Sequence, residues 1–114
     1  MERRIAISSG TVSMSATLNE SATATKIWEA LPIASAVRRW GDEVYFEIPV
    51  EAGAEDAQES VPSGTIAYWP PGECFCIFFG QRPASPVNMV GKLDGEPGAW
   101  AGVKEGDAVR LERG

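Results

Sequence analysis

The chain has 114 residues, 44% hydrophobic and 23% charged, which is the composition of an ordinary globular protein and predicts one domain over residues 1–114. Its net charge of −6 argues against a nucleic-acid partner, because phosphate binding draws on clustered Lys and Arg. Histidine is absent, which excludes Ser-His-Asp and Cys-His catalysis and histidine-containing zinc sites.

The N-terminal third predicts a hairpin followed by a helix. Residues 4–7 and 11–18 alternate in polarity around a Ser-Ser-Gly turn, as the two strands of a hairpin do. Apolar residues then recur with helical spacing as far as residue 31. Asn19 or Ser21 can cap the start of this helix, and Pro32 ends it.

The middle of the chain predicts three further strands and a long loop. Residues 34–39 form a short strand, and residues 44–48 alternate as a second one. Residues 51–63 show no periodicity and form a loop that is long for a compact domain. An apolar aromatic run at 64–69 predicts the third strand, which enters a stiff Trp-Pro-Pro-Gly turn.

The remainder continues the same pattern of short strands. A second apolar run at 73–80 predicts a strand buried on both faces, and residues 87–93 predict another. Residues 97–103 include a helical turn carrying Trp100, and residues 108–112 form the last strand. About eight strands with one helix indicate a mainly β protein, a closed or nearly closed antiparallel barrel.

The two cysteines, Cys74 and Cys76, would point to the same face of a strand because they are two residues apart. A disulfide between them would be strained, and two thiolates alone do not make a structural zinc site. We therefore expect buried apolar thiols, no metal and no cofactor.

No run approaches the ~18 apolar residues of a membrane span, and the N-terminus lacks the apolar region of a signal peptide. The sequence therefore predicts a cytoplasmic protein without membrane contact.

Four long motifs resemble the small cyclophilin-like barrel proteins of bacteria and archaea, a family of uncharacterised function. They read Trp-Gly-Asp-Glu-Val-Tyr-Phe-x-x-Pro-Val at 40–50, Gly-x-Ile-Ala-Tyr-Trp-Pro-Pro-Gly at 64–72, Cys-Ile-Phe-Phe-Gly-x-x-Pro at 76–83 and Val-Asn-x-Val-Gly-Lys at 87–92. The resemblance implies a closed, cyclophilin-like, eight-stranded antiparallel β-barrel with one α-helix and a short helical turn.

The resemblance to cyclophilin prolyl isomerases is more remote and does not carry over their catalytic arginine. In those enzymes the arginine stands in a Phe-His-Arg-Val-Ile strand, where this chain has Glu47. A Gln-Phe-Phe-Ile strand lines their proline pocket, and here residues 74–77 replace it, leaving Phe75 as the matched pocket residue. Prolyl isomerisation passes through a twisted amide, which a guanidinium stabilises by donating hydrogen bonds. The absence of the arginine therefore argues against isomerase activity.

The preferred hypothesis is a binding module for a small molecule or a proline-containing peptide. Aromatic rings beside the rigid Pro-Pro turn suit an apolar site with a few polar groups. The candidate cleft residues are Tyr45, Glu47, Trp69, Phe75, Gln81 and Arg82.

Two alternatives stay open. The first is an enzyme using the same cleft, either a prolyl isomerase or another activity, with Tyr45, Glu47 and Arg82 as reactive groups. Arg38, Arg39 or Arg82 would be substitute donors for the missing arginine. Cyclophilin-like barrels also occur in enzymes acting on allophanate or oxoproline, a fold-level analogy that assigns no residue here. The second alternative is an interaction protein, including a homodimer, that uses the acidic loop 51–59 as its contact surface.

Overall fold

Nine antiparallel strands form one sheet in the computed structural model, which describes residues 3–80 and 85–114. The strands are β1 Arg3–Ser9, β2 Val12–Leu18, β3 Ile33–Ala36, β4 Arg38–Trp40, β5 Glu43–Glu47, β6 Thr65–Trp69, β7 Cys74–Phe78, β8 Asn88–Leu93 and β9 Ala108–Arg113. Their spatial order is β3-β9-β1-β2-β8-β6-β7-β5-β4. The first and last strands of this order are neighbours in the chain, so the sheet curls into a nearly closed barrel.

The predicted strand at 34–39 is divided at Val37, which explains why nine strands are found where eight were expected. The Val37 backbone N–H donates to the Asp107 carbonyl, and its carbonyl accepts from the Gly106 N–H, both at 2.8 Å. Before this residue β3 pairs with β9, and after it β4 pairs with β5. One chain segment therefore joins the two edges of the sheet, and the predicted nearly closed antiparallel barrel is confirmed.

The barrel interior is filled by apolar residues from every strand except β4. On the central strands these include Phe46 and Phe75, whose rings stack with centroids 5.3 Å apart. Tyr68 is fully buried, and its hydroxyl donates to the Val50 carbonyl at 2.6 Å, so its one polar group is satisfied. All five residues of β7 are buried, which confirms the predicted burial of this strand on both faces.

A second, smaller apolar cluster lies on the outer face of β5, β6 and β7. It consists of Val61, Ala67, Cys74, Cys76, Phe78 and Val87, and we call it the outer cluster. Residues 51–63, here called the strap, supply Val61 to this cluster and bridge to β8 through Gln58 and Val87. The long loop predicted from the sequence therefore packs against the barrel wall.

The helix α1 (Ala22–Ala30) is capped by Ser21, one of the two predicted caps, whose hydroxyl accepts from the Ala24 N–H. Two short 3-10 turns, Pro70–Gly72 and Pro97–Gly102, account for the other helical segments of the described residues. The second turn carries Trp100, which is fully buried in the barrel. In residues 3–80 and 85–114, no helix has the length and apolar character needed to cross a membrane.

Candidate functional site

The strand register places two of the predicted site residues on either side of β7. Tyr45 on β5 pairs with Cys76, and Trp69 on β6 pairs with Cys74. Both aromatic rings are partly buried against the outer cluster. Two small thiol side chains therefore lie between two larger rings on the outer wall of the barrel.

The Pro-Pro-Gly turn holds the Trp69 ring in place. A Cβ atom at Gly72 would lie only 2.5 Å from this ring, so only glycine fits beneath it. On its polar side the indole N–H donates to the hydroxyl of Ser85. The turn predicted from the sequence thus sets the position of a half-buried indole at the end of β6.

Glu47 and Phe75 are separated by the alternation of the strands. Glu47 is exposed and lies on the same face as Tyr45, opposite Cys74. Phe75 points the other way, fully buried in the interior against Phe46, so its expected place in the cleft must be corrected. The neighbouring cysteines occupy the outer face instead. Gln81 and Arg82 lie outside the described residues.

Glu43 is a candidate site residue that the sequence did not single out. It is only 7% exposed, although it begins β5 on the same outer face as Tyr45 and Glu47. Burial raises the pKa of its carboxyl group to about 7, and a hydrogen bond from the Cys76 thiol partly opposes this shift. The period-two spacing of residues 43, 45 and 47 was the signal that could have identified it.

The thiols of Cys74 and Cys76 have low reactivity. Burial raises the pKa of Cys76 well above its usual range, and the adjacent Glu43 carboxyl adds to this effect. Burial also raises the pKa of Cys74, against the opposing influence of Arg38. Both are free and buried, as predicted, and thiols protonated at neutral pH are weak nucleophiles.

The arginines named as substitute donors differ in availability. The guanidinium of Arg39 is already engaged within the protein. It donates to the carbonyls of Gly41, Ala101 and Val103, and it lies 5.2 Å from the Phe79 ring centre. Arg38 is exposed and lies opposite Tyr45 on the outer face. Of the described arginines, Arg38 is the one that shares this face with Tyr45 and Trp69.

The acidic strap has an internal role at one of its carboxylates. Glu55 accepts from the backbone N–H groups of Ala22 and Thr23 at 3.0 and 2.9 Å and from the Thr23 hydroxyl at 2.6 Å. It therefore covers the free N–H groups at the start of α1. These hydrogen bonds, that of the Thr23 hydroxyl above all, lower the pKa of Glu55.

Two open cavities are lined by residues that do not belong to the outer cluster. One, of about 320 Å³, is bordered by the β1–β2 turn and β9, and the other, of about 310 Å³, by the strap and Met89. Within the described ranges no three Cys, Asp or Glu side chains are grouped so that they could hold a metal ion.

The model of the cyclophilin-like protein family matches residues 3–112. The chain belongs to the cyclophilin-like family. A hypothetical protein from Archaeoglobus fulgidus, solved in solution, is 35% identical over 99% of this chain and 95% of its own, with a TM-score of 0.85. McbB, solved in complex with tryptophan, shares the fold at 18% identity and a TM-score of 0.71, over 96% of this chain and 44% of its own. No curated protein matches this chain.

This membership agrees with the nearly closed barrel described above. The archaeal relative is itself described as hypothetical, so it brings a fold and no activity. The function of this cyclophilin-like chain has to be argued from its own outer face.

Proposed function

We propose that this cyclophilin-like protein is a binding module for a small molecule or a peptide, with its site on the outer face of β5, β6 and β7. The observation that carries the proposal is the pair of partly buried rings, Tyr45 and Trp69, held on either side of the thiols of β7. Rings that are neither buried in a core nor free in solvent offer apolar contact area at low entropic cost.

Polar groups at the edge of this site would orient a ligand. Glu47 and Arg38 are exposed on the same face and carry opposite charges. Arg38 lies directly opposite Tyr45, and Glu47 lies two residues further along β5. A peptide lying across the strands would meet an aromatic ring and a charged group in turn. This combination suits recognition through a few placed contacts on an apolar base.

Ligand-observed NMR with a panel of proline-containing peptides and aromatic metabolites tests this proposal. Tryptophan belongs in the panel because it is the ligand named for McbB. We expect at least one compound to bind, and Trp69→Ala to weaken it about tenfold or more by removing a contact ring. Trp28→Phe, on α1 beneath Arg113, is the matched control and should bind as the wild type does. A panel that is silent for the wild type and both variants would overturn the proposal.

Prolyl isomerisation is the second candidate, and one observation favours it. Arg38 presents a guanidinium on the same face as Tyr45, and this guanidinium makes no hydrogen bond or ion pair with any described residue. It could therefore supply the hydrogen-bond donor that the isomerases have at the position of Glu47. A protease-coupled assay with an Xaa-Pro peptide separates the two functions. We expect the background rate. A catalysed rate that Arg38→Ala abolishes and the remote Arg110→Ala preserves would replace the binding module with an enzyme.

A further inference from the structure

Glu43 is a buried carboxyl group without a cationic partner in the described part of the chain. It is 7% exposed, and its recorded side-chain partner is the Cys76 thiol, a weak donor. Placing a carboxyl group in apolar surroundings without an ion pair lowers stability. A buried carboxyl group of this kind beside a candidate site is itself a candidate functional group.

The strand register places three aromatic residues next to Glu43 on the outer face. Trp40 on β4 and Phe78 on β7 are its two cross-strand partners, and Tyr45 is the next residue on the same face of β5. Side chains directly opposite each other in antiparallel strands have Cβ atoms about 5 Å apart. Phe78 is fully buried whereas Trp40 is 46% exposed, so a ligand arriving from solvent meets the Trp40 ring first.

Aromatic rings beside a carboxylate attract cations, because the ring face is negative. This molecule uses the same attraction internally, with Arg113 4.5 Å from the Trp28 ring centre and Arg39 over Phe79. No such cation is recorded over Trp40 or Tyr45 among residues 3–80 and 85–114. Within this part of the chain, neither ring is therefore paired with an internal cation.

We propose that the surface around Glu43 binds an ammonium group carried on an apolar or aromatic stem, with Glu43 as its counter-charge and the Trp40 and Tyr45 rings beside it. The inference rests on the proposed function, since Tyr45 belongs to both sites, and it names the ligand's chemical class.

Among the titratable groups on this face, Glu43 is the one that determines whether an ammonium group binds. Arg38 on β4 and Glu47 on β5 are both exposed, and their charges oppose each other. Cys74 and Cys76 on β7 are protonated at neutral pH, because burial raises the pKa of each thiol. An incoming ammonium group would favour ionisation of Glu43 and release its proton.

Three probes of equal length separate charge from shape. 2-Phenylethylamine, 2-phenylethanol and 3-phenylpropionate share a phenyl ring and differ in carrying a positive, a neutral and a negative end group. Titration followed by intrinsic tryptophan fluorescence should show the amine binding about tenfold or more tighter than the alcohol, as a charge-assisted contact requires. The carboxylate should bind weakest. N-acetyl-lysine amide, run in parallel, distinguishes a peptide lysine from a free arylalkylamine as the source of the ammonium group.

Glu43→Gln keeps the shape and removes the charge. In this variant the affinity for the amine should fall to that for the alcohol, while the affinity for the alcohol stays unchanged. Calorimetry at pH 6.5 in two buffers of different ionisation enthalpy should detect proton release on amine binding to the wild type and none in Glu43→Gln. Glu29→Gln, an exposed site on α1, is the matched control. Far-UV circular dichroism checks that both variants fold.

The outcomes separate this inference from the proposed function. If all three probes bind equally, the ammonium preference is wrong and the binding module stands. If the amine preference persists in Glu43→Gln, Glu43 is not the counter-charge and the inference is overturned. If none of the probes binds at millimolar concentration, the ammonium site is wrong, while the peptide panel still decides the proposed function.

Discussion

At the scale of single residues, the side chain with the largest expected effect on pH behaviour is Glu43. In the folded protein the pKa of the Glu43 carboxyl group is about 7, whereas the ordinary pKa, which applies to the unfolded chain, is 4.5. Between these two values the unfolded state binds fewer protons than the folded state, so the free energy of unfolding falls as pH rises. This loss of free energy of unfolding is complete once the pH exceeds the pKa of Glu43 in the folded state.

Substituting Glu43→Gln should remove this dependence. The shift corresponds to about 3 kcal/mol, so wild type and variant should be similarly stable at pH 4.5 and differ by an amount of this order at pH 8. Urea unfolding at several pH values measures the difference. The exposed Glu47→Gln is the control and should follow the wild-type profile. A parallel fall in the wild type and Glu43→Gln from pH 4.5 to 8 would show that another group titrates.

At the scale of elements, the strap is ordered because β8 supplies its hydrogen-bond partners. Asn88 is 1% exposed and donates to the Gly53 carbonyl at 2.9 Å and to the Thr23 hydroxyl at 3.2 Å. Its carbonyl accepts from the Glu55 N–H at 2.8 Å. One buried amide thus ties β8, the strap and the start of α1 together.

Replacing Asn88 with alanine should leave buried backbone groups of the strap without partners. We expect a loss of about 2 kcal/mol in the free energy of unfolding, and faster amide hydrogen exchange in residues 51–63. Met89→Ala, at the adjacent exposed position of β8, should change stability by less than about 0.5 kcal/mol. Unchanged exchange in the strap of Asn88→Ala would mean that other contacts hold this segment.

At the scale of the whole molecule, the pairing of β2 with β8 joins the two halves of the sheet. Gly91 lies at this seam, paired with Leu18 on one side and Ile66 on the other. A Cβ atom there would lie 2.1 Å from the Thr17 carbonyl oxygen. Because the obstructing atom is backbone, relief would require the two strands to separate.

Gly91→Ala should therefore destabilise the barrel as a unit. We expect a loss of about 3 kcal/mol, seen as a lower midpoint in both thermal and urea unfolding. The control is Gly102→Ala, because a Cβ atom at that position meets nothing within 4 Å. If Gly91→Ala and Gly102→Ala unfold at the same midpoint, the seam tolerates a side chain and the geometric argument fails.

Much of the architecture could be predicted because its determinants are local. Alternation marked the hairpin, Ser21 marked the start of α1, and the Pro-Pro-Gly turn marked the end of β6. The division at Val37 could not be predicted, since it depends on hydrogen bonds to residues 106 and 107 on the far side of the chain. The strand count therefore differed although the barrel was expected.

The candidate site was predictable only in part. Residues 74–78 are all apolar, so nothing in their polarity says which of them face the interior, and Phe75, named as a cleft residue, lies in the interior. The register with β5 and β6 decided this, because it set Cys74 and Cys76 between Tyr45 and Trp69. The unusual proton affinity of Glu43 likewise follows from burial against residues distant in sequence. Local pattern thus specifies the strands, whereas only packing specifies the chemistry between them.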